Sequence, residues 1–215
     1  HNGFELDKYF KTDDLKKCSR FWIILFKTIL SKLYHWKIYV VGSVEYQYPN
    51  HLFQAGYFLD KKYYDENTID FKHLLLSEKN QSLLKDIQNS NSVGVHIRRG
   101  DYMTKQNLVI FGNICTQKYY HDAIRIITEK VNDAVFYVFS DDISWVQTHL
   151  DIPNAVYVNW NTGESSIYDM YLMSSCKYNI IANSTFSYWA ARLNKKTNMV
   201  IYPSKWYNTF TPDIF

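Results

Sequence analysis

The 215-residue chain lacks the features that mark several common classes of protein. Its most apolar run, residues 21–26, is followed by Lys27 and falls short of the roughly 20 apolar residues that span a bilayer. Its 3 cysteines lie far apart and are odd in number, which argues against a disulfide framework. We therefore expect no transmembrane segment in these residues and a reducing compartment.

The net positive charge of the chain is small as well. The 24 Lys and Arg residues exceed the 21 Asp and Glu residues by 3, and no basic cluster accompanies them, so nucleic acid is not an expected partner. The aromatic content of 18% excludes a disordered chain. No metal-ligand spacing of His and Cys, no Gly-x-Ser-x-Gly elbow and no Walker loop occurs. Only 5 basic residues are arginine, and two of them are adjacent, at Arg98 and Arg99.

What the sequence has in abundance is alternation between strands and helices from residue 93 onward. The strands are continuously apolar rather than alternating, which is typical of a parallel sheet covered on both faces. The pattern therefore predicts an α/β fold with one Rossmann-like unit. Its predicted strands are 93–97, 134–139, 155–158, 178–182 and 199–202, and its predicted helices are 117–130, 143–150, 166–176 and 186–193.

The first ninety residues are less regular. They predict an amphipathic helix over 13–34, strands over 37–41 and 52–58, and a helix over 81–88. This segment resembles part of another α/β layer rather than a complete domain. We therefore divide the chain into a partial α/β domain, residues 1–90, and a Rossmann-like domain, residues 91–215.

In an open parallel sheet, ligands bind beyond the carboxyl ends of the strands. Arg98 and Arg99 follow the first predicted strand of the Rossmann-like unit, and two planar guanidinium groups beside a glycine suit a diphosphate. The structural alternative is that one of the two arginines pairs with Asp101 while the other is solvated. His96 is either a core histidine or a neighbour of Arg98 on the same face of the strand.

The other strand ends carry polar groups with two possible roles. Ser184 and Thr185 precede a predicted helix, where they can cap it, bind an anion, or do both. Asp141 and Asp142 can hold a metal-bound nucleotide, but capping of the next helix is the simpler interpretation. Nothing in the spacing of Asp169 distinguishes it from a solvated helix position.

Three segments resemble a known enzyme family. Val95-His-Ile-Arg-Arg-Gly-Asp-Tyr102 resembles the signature of the α1,2-fucosyltransferases, which α1,6- and protein O-fucosyltransferases share in looser form. Residues 136–146 and 168–190 resemble the second and third blocks of that family, in the same order. The similarity covers nearly the whole chain and points to the bacterial enzymes of glycosyltransferase family 11.

The resemblance implies a GT-B-type fold of two facing Rossmann-like domains, the second α/β domain being truncated here. It implies inverting transfer of L-fucose from GDP-β-L-fucose to a sugar hydroxyl, commonly the 2-hydroxyl of galactose, with no cofactor and no metal. The expected acceptor is a galactose-containing oligosaccharide or a lipid-linked glycan, and the expected location is cytoplasmic, peripheral to the inner membrane.

The resemblance also implies roles for individual residues. Arg98 would bind the β-phosphate and stabilise the departing GDP, and Arg99 and Asp101 would brace Arg98 or contact the donor. His96 and Asp169 would contact the guanosine. The segment that would hold the diphosphate consists of Ser184, Thr185 and Phe186. The general base stays open among Asp101, Asp141 and Glu164.

One departure from the family concerns glycine. Relatives open with a strand and a Gly-Gly-Leu-Gly-Asn-Gln loop that approaches the donor, and none of the 7 glycines here forms such a cluster. We therefore expect an incomplete copy that lacks the first βα unit of the acceptor-side domain. The missing loop favours one alternative, a GDP-sugar-binding module without catalysis. A separate alternative is a metal-dependent transferase that uses Asp141 and Asp142.

Overall fold

A computed structural model describes residues 6–11, 29, 39–42, 53–56 and 69–208 of the chain. The chain divides into two compact units, one formed by His1–Lys11 with Ile69–Thr211 and the other by Thr12–Thr68 with Pro212–Phe215. In the second unit, strands β1 (Tyr39–Gly42) and β2 (Phe53–Gly56) overlap the two strands predicted there, and they pair in parallel. The predicted helix over 13–34 lies outside the described residues, apart from Ile29.

The first unit is built on a five-stranded parallel sheet with the order β5-β4-β3-β6-β7. The central strand β3 pairs with β4 on one side and with β6 on the other, so the chain reverses its direction of winding at β3. This is the Rossmann-like topology, and it confirms the predicted α/β fold. The strands are β3 (Asn91–Ile97), β4 (Ala134–Ser140), β5 (Ala155–Val158), β6 (Tyr178–Ile180) and β7 (Met199–Ile201).

Helices connect these strands and cover both faces of the sheet. Because successive side chains of a strand point to opposite faces, Val93 and Val95 of β3 join one core, while His96 points to the other face. The described helices are α1 (Leu6–Tyr9), α2 (Glu78–Asn89), α3 (Lys105–Phe111), α4 (Gln117–Lys130), α5 (Ile143–His149), α6 (Ser166–Met173) and α7 (Thr185–Arg192). None of the helices in the described parts of the chain is long and apolar enough to cross a membrane.

The sheet unit begins earlier than the division after residue 90 that the sequence suggested. Helix α2 belongs to it because Leu83 and Ile87 are buried in the same core as Tyr137 and Phe139 of β4. The N-terminal residues belong to it as well: Phe10 forms an isolated antiparallel bridge with Phe71, and their rings stack 5.0 Å apart.

Two turns at the amino edge of the sheet use the left-handed backbone region. Asp133 precedes β4 with φ of 52°, and Asn154 precedes β5 with φ of 47°. Asp and Asn tolerate this region better than other residues with a side chain, because their short polar side chains bond locally. The Asn154 amide donates to the Ala134 carbonyl at 3.3 Å, which ties the two turns together.

Candidate functional site

The cluster at the carboxyl end of β3 is centred on Arg98. Its guanidinium donates to Asp101 Oδ1 at 2.6 Å and lies 2.9 Å from Asp141 Oδ2, which follows the neighbouring strand β4. The register explains the meeting: Ile97 pairs with Ser140, so the residues that follow both strands emerge side by side. Arg98 therefore pairs with Asp101, as the structural alternative expected, and Asp141 holds it from a second side.

Asp141 also fixes the backbone of this loop. Its Oδ1 accepts a hydrogen bond of 2.9 Å from the Arg99 backbone N–H. The loop passes so close that a Cβ atom at Gly100 would lie 2.4 Å from Asp141 Oδ2. Glycine is therefore required between the arginine pair and Asp101 if Asp141 is to keep both contacts.

Arg99 is not solvated. Its Nε lies 3.2 Å from Asp142 Oδ2, and its guanidinium stacks 3.7 Å from the centroid of the Trp145 ring. Asp142 caps α5 by accepting a hydrogen bond of 3.1 Å from the Trp145 backbone N–H, which is the simpler of the two roles considered for it from the sequence. This backbone hydrogen bond, together with those from Arg99 and Ser144, lowers the pKa of Asp142.

Both aspartates after β4 thus serve the two arginines. Asp141 binds Arg98 and the Arg99 backbone, and Asp142 binds Arg99 and the start of α5. Among the described residues, no three His, Cys, Asp or Glu side chains come together as a group that could hold a metal ion.

His96 lies beneath this cluster on β3 and is 5% exposed. Its ring centroid is 5.1 Å from that of Phe186 on α7, so the first and third sequence segments meet here. Burial, reinforced by the charge of Arg98, lowers the pKa of His96 to about 3, and the ring is therefore neutral at pH 7. Its buried Nδ1 has no hydrogen-bond partner among the described residues.

The start of α7 forms the other side of the site. Ser184 caps the helix by accepting the Phe186 backbone N–H at 3.3 Å, and Thr185 is the first helical residue. The Tyr102 hydroxyl donates to the Asn183 carbonyl at 2.8 Å, so the loop after β3 is tied directly to the loop after β6. Capping, one of the two roles considered for this segment, is present.

Asn183 anchors this helix start from behind. Its buried amide donates to the carbonyls of Trp206 at 3.0 Å and Phe111 at 3.2 Å, while its oxygen accepts from the Cys115 thiol at 3.4 Å. Together with the Tyr102 hydroxyl, these contacts fix four residues of the chain around Asn183, the residue that precedes Ser184. Sequence reasoning gave Asn183 no role, because each of its partners lies at least twenty residues away in the chain.

Asp169 differs from a solvated helix position. It lies on α6, which packs against α7 and β3, and its Oδ1 accepts a hydrogen bond of 2.7 Å from the Asn161 amide. Burial raises the pKa of the Asp169 carboxyl to about 7, although the Asn161 hydrogen bond opposes this change. Its described bonds do not connect it to the arginine cluster, and Glu164, in the short 3₁₀ helix Gly163–Ser165, has no described bond to that cluster either.

The arrangement favours binding of an anionic ligand with a flat group attached. Two guanidinium groups and the N-terminus of an eight-residue helix lie at the ends of neighbouring strands, where donors for phosphate oxygens are useful. A neutral histidine against a phenylalanine ring offers a surface on which a flat ring can stack.

Comparison with known proteins agrees with these observations. The family model described as Glycosyl transferase family 11 matches residues 11–211. An alpha-1,2-colitosyltransferase of Escherichia coli is 35% identical over an alignment of 186 residues, and the match covers 80% of this chain and 60% of the relative. The O-antigen biosynthesis glycosyltransferase WbnK of Escherichia coli is 44% identical over 122 residues, which are 56% of this chain and 40% of the relative.

A mammalian protein matches a similar share of the chain. Galactoside alpha-(1,2)-fucosyltransferase 2 of Pongo pygmaeus is 29% identical over an alignment of 128 residues, and the match covers 56% of this chain and 37% of the relative. The chain thus spans between 37% and 60% of the length of these three relatives.

Proposed function

The chain belongs to glycosyl transferase family 11, and on that premise we propose that it transfers L-fucose from GDP-β-L-fucose to the 2-hydroxyl of a galactoside, with inversion and without a metal ion. The observation that carries the proposal is Arg98. It lies at the carboxyl end of the central strand, between Asp101 and Asp141, with a side chain that is 27% exposed. A held but accessible guanidinium suits a diphosphate leaving group.

The proposed reaction exchanges one bond at the anomeric carbon of fucose. The acceptor oxygen forms a bond to that carbon while the bond from the carbon to the β-phosphate oxygen breaks, and the bonding electron pair leaves with GDP. The hydroxyl proton passes to a base. Because negative charge grows on the departing phosphate, donors fixed in advance stabilise the transition state more than the ground state. Arg98 and the start of α7 supply such donors.

Asp101 is the proposed base. Asp141 is poorly suited, because its two oxygens already bind Arg98 and the Arg99 backbone. Asp101 binds Arg98 through Oδ1 only, and its side chain is 56% exposed, which leaves Oδ2 accessible to an acceptor hydroxyl. Proton transfer of this kind typically contributes 10²–10⁴-fold to a rate.

The other site residues are proposed to bind the donor. Ser184, Thr185 and Phe186 would hold the diphosphate at the start of α7, because the first backbone N–H groups of a helix have no partner within the helix. His96 and Asp169 would contact the guanosine. Arg99 would orient the loop, since its pairing with Asp142 and its stacking on Trp145 fix its position.

Metal independence is proposed on the ground that the two aspartates after β4 are already paired with arginines. In metal-dependent transferases, carboxylates hold a cation that neutralises the diphosphate. Here Asp141 pairs with Arg98 and Asp142 pairs with Arg99, so neither carboxylate is placed to hold a cation. The phosphate oxygens would instead be met by the accessible part of the Arg98 guanidinium and by the start of α7.

The test is GDP binding and fucose transfer by the same chain, with and without a chelator. We expect binding to survive the chelator and to fall about 30-fold or more in Arg98→Ala, since lost contacts between charged partners cost about 2 kcal/mol or more. Arg125→Ala is the matched control, because Arg125 forms an exposed pair with Glu129 on α4. Unchanged GDP affinity in Arg98→Ala would contradict the proposed role of this residue.

The same measurements separate the alternatives. Release of GDP from GDP-fucose only when a galactoside is present would exclude a binding module without catalysis, and loss of turnover with chelator would support a metal-dependent enzyme. Nucleotide-linked colitose belongs in the donor panel, because a relative that is 35% identical is named alpha-1,2-colitosyltransferase. Acceptors should include free galactosides and a lipid-linked glycan.

A further inference from the structure

Asp169 is connected to a chain of side-chain amides that begins on a different helix. Asn161 and Asn80 form a reciprocal pair: the Asn80 amide donates to Asn161 Oδ1 at 2.9 Å, and the Asn161 amide donates to Asn80 Oδ1 at 3.1 Å. Asn161 also donates to Asp169 Oδ1 at 2.7 Å. The Trp160 indole N–H donates to Asn80 Oδ1 at 2.8 Å. We call Trp160, Asn80 and Asn161 the amide relay.

The direction of the relay is determined by its two ends. An indole N–H can only donate, so the oxygen of the Asn80 amide must face Trp160. The Asn80 nitrogen then donates to the Asn161 oxygen, which turns the Asn161 nitrogen toward Asp169. An ionised carboxylate can only accept, so the bond from Asn161 to Asp169 has the direction that the Trp160 indole imposes at the other end of the relay. Every amide orientation in the relay is consistent with this one arrangement.

The relay is built into the fold. Asn80 is 1% exposed. Its backbone N–H bonds to the Ser77 side chain, which caps α2, and its side-chain amide bonds to Asn161. Lys79, the neighbour of Asn80 on α2, contacts the same indole: its ammonium lies 3.7 Å from the centroid of the Trp160 ring. A buried polar network with all of its bonds made is rigid, because a change in any member leaves another unpaired.

Only one oxygen of Asp169 is used by the relay. Oδ1 accepts from Asn161, whereas Oδ2 has no hydrogen-bond partner among the described residues. Within those residues the carboxylate also lacks a cationic partner: its pKa responds to burial and to Asn161 alone. Asp169 is therefore a partly buried acceptor whose orientation is fixed on one side and open on the other.

We propose that the amide relay positions the Asp169 carboxylate so that the donor site prefers guanine over other bases. The inference rests on the proposed function, in which Asp169 contacts the guanosine. Guanine presents two adjacent donors on one edge, N1–H and the 2-amino group, and a carboxylate accepts both only if its plane is held in line with them. Asn161 and Asn80 are positioning residues for that contact.

Hypoxanthine provides the test, because it keeps N1–H and lacks the 2-amino group. The full chain and its variants are titrated with GDP, with inosine diphosphate and with ADP. We expect the unsubstituted chain to prefer GDP. In Asn161→Ala we expect the ratio of GDP to inosine diphosphate affinity to fall about 10-fold, the loss typical of one misplaced charge-assisted hydrogen bond. Trp160→Phe keeps an aromatic ring at this position, removes the indole N–H that directs the relay and should lower the ratio about 3-fold.

The matched control is Asn91→Ala. Asn91 lies at the opposite end of β3, where its amide donates to the Asn132 carbonyl at 2.9 Å, so the substitution removes an asparagine bond far from the nucleotide. We expect its ratio to be unchanged. Arg98→Ala should weaken GDP and inosine diphosphate equally, because both carry the same diphosphate.

Two results would overturn the inference. The first is an unchanged ratio in a folded Asn161→Ala variant: it would show that the relay does not position Asp169, and equal loss of both affinities would assign the relay a purely structural role. The second is the absence of GDP binding. If Asn161→Ala does not fold, Trp160→Phe decides by the same criterion. If the unsubstituted chain binds no GDP, the proposed function fails and the relay inference with it, whereas failure of the ratio alone leaves the proposed function intact.

Discussion

Replacing Gly100 with alanine should weaken nucleotide binding more than it destabilises the fold. A Cβ atom there would lie 2.4 Å from Asp141 Oδ2, well inside van der Waals contact. Because Oδ2 is the end of a side chain, we expect the carboxylate to rotate away while the loop stays folded. The rotation sacrifices two contacts of 2.9 Å, one to the Arg98 guanidinium and one from the Arg99 backbone N–H.

The size of each effect follows from exposure. The Asp141 side chain is 26% exposed, so solvent screens its contacts, and losing both should cost about 1–2 kcal/mol of unfolding free energy. Arg98 keeps Asp101, but that side chain is 56% exposed and holds the guanidinium from one side only. With one of two anchors gone, we expect GDP affinity to fall about 10-fold, or about 1.4 kcal/mol.

The assay pairs a GDP titration with denaturant unfolding of the same protein. Gly163→Ala is the control: Gly163 has φ of 58° and no atom within 4 Å of an added Cβ, so alanine there strains the backbone without touching Asp141. It should lower stability by about 1 kcal/mol and leave GDP affinity unchanged. Unchanged GDP affinity in folded Gly100→Ala would refute the positioning role of Asp141. Tighter binding would refute it too, since Asp141 would then be competing with the diphosphate.

Two further predictions concern the buried titratable groups. His96→Phe removes a buried nitrogen that has no described partner and keeps the ring contact with Phe186. The unfolding free energy should therefore stay level or rise by about 1 kcal/mol, while GDP binding weakens. A parallel loss of stability and of GDP affinity would contradict a ligand-binding role. Burial raises the pKa of Asp169 from 3.8 to about 7, so the folded protein holds a proton that the unfolded chain releases between these values. The unfolding free energy, measured in a denaturation series, should therefore fall as pH rises from 3.8 to about 7. GDP binding should strengthen over the same range, because the carboxylate ionises. Asp169→Asn should flatten the pH dependence of both quantities.

The sheet was predictable because its signals are local. Helix α4 spans Gln117–Lys130 and β5 spans Ala155–Val158, as the sequence predicts, since apolar periodicity and flanking polar residues define both. The strand-end rule also located the arginine pair, because parallel strands deliver their carboxyl ends to one edge. Neither inference needs a contact between distant residues.

The sequence did not predict what depends on distant contacts. Helix α3 was missed, although Thr104 caps it, because its exposed Val109 and Ile110 give it no clear buried face. The bond from the Asn80 amide to Asn161 joins residues 81 positions apart, and no pattern in the chain links them. The stacking of Arg99 on Trp145 likewise depends on where β3 and β4 place their loops.

The turns at Asp133 and Asn154 lie at the edge of the sheet opposite the arginine cluster. Strands β3 and β4 each span seven residues, so about 20 Å of sheet separates those turns from Arg98. A fluorophore or a surface tether attached there would report on the molecule, or immobilise it, without obstructing the opposite edge. Single-molecule and surface-based measurements of nucleotide binding can therefore be built on the amino edge of the sheet.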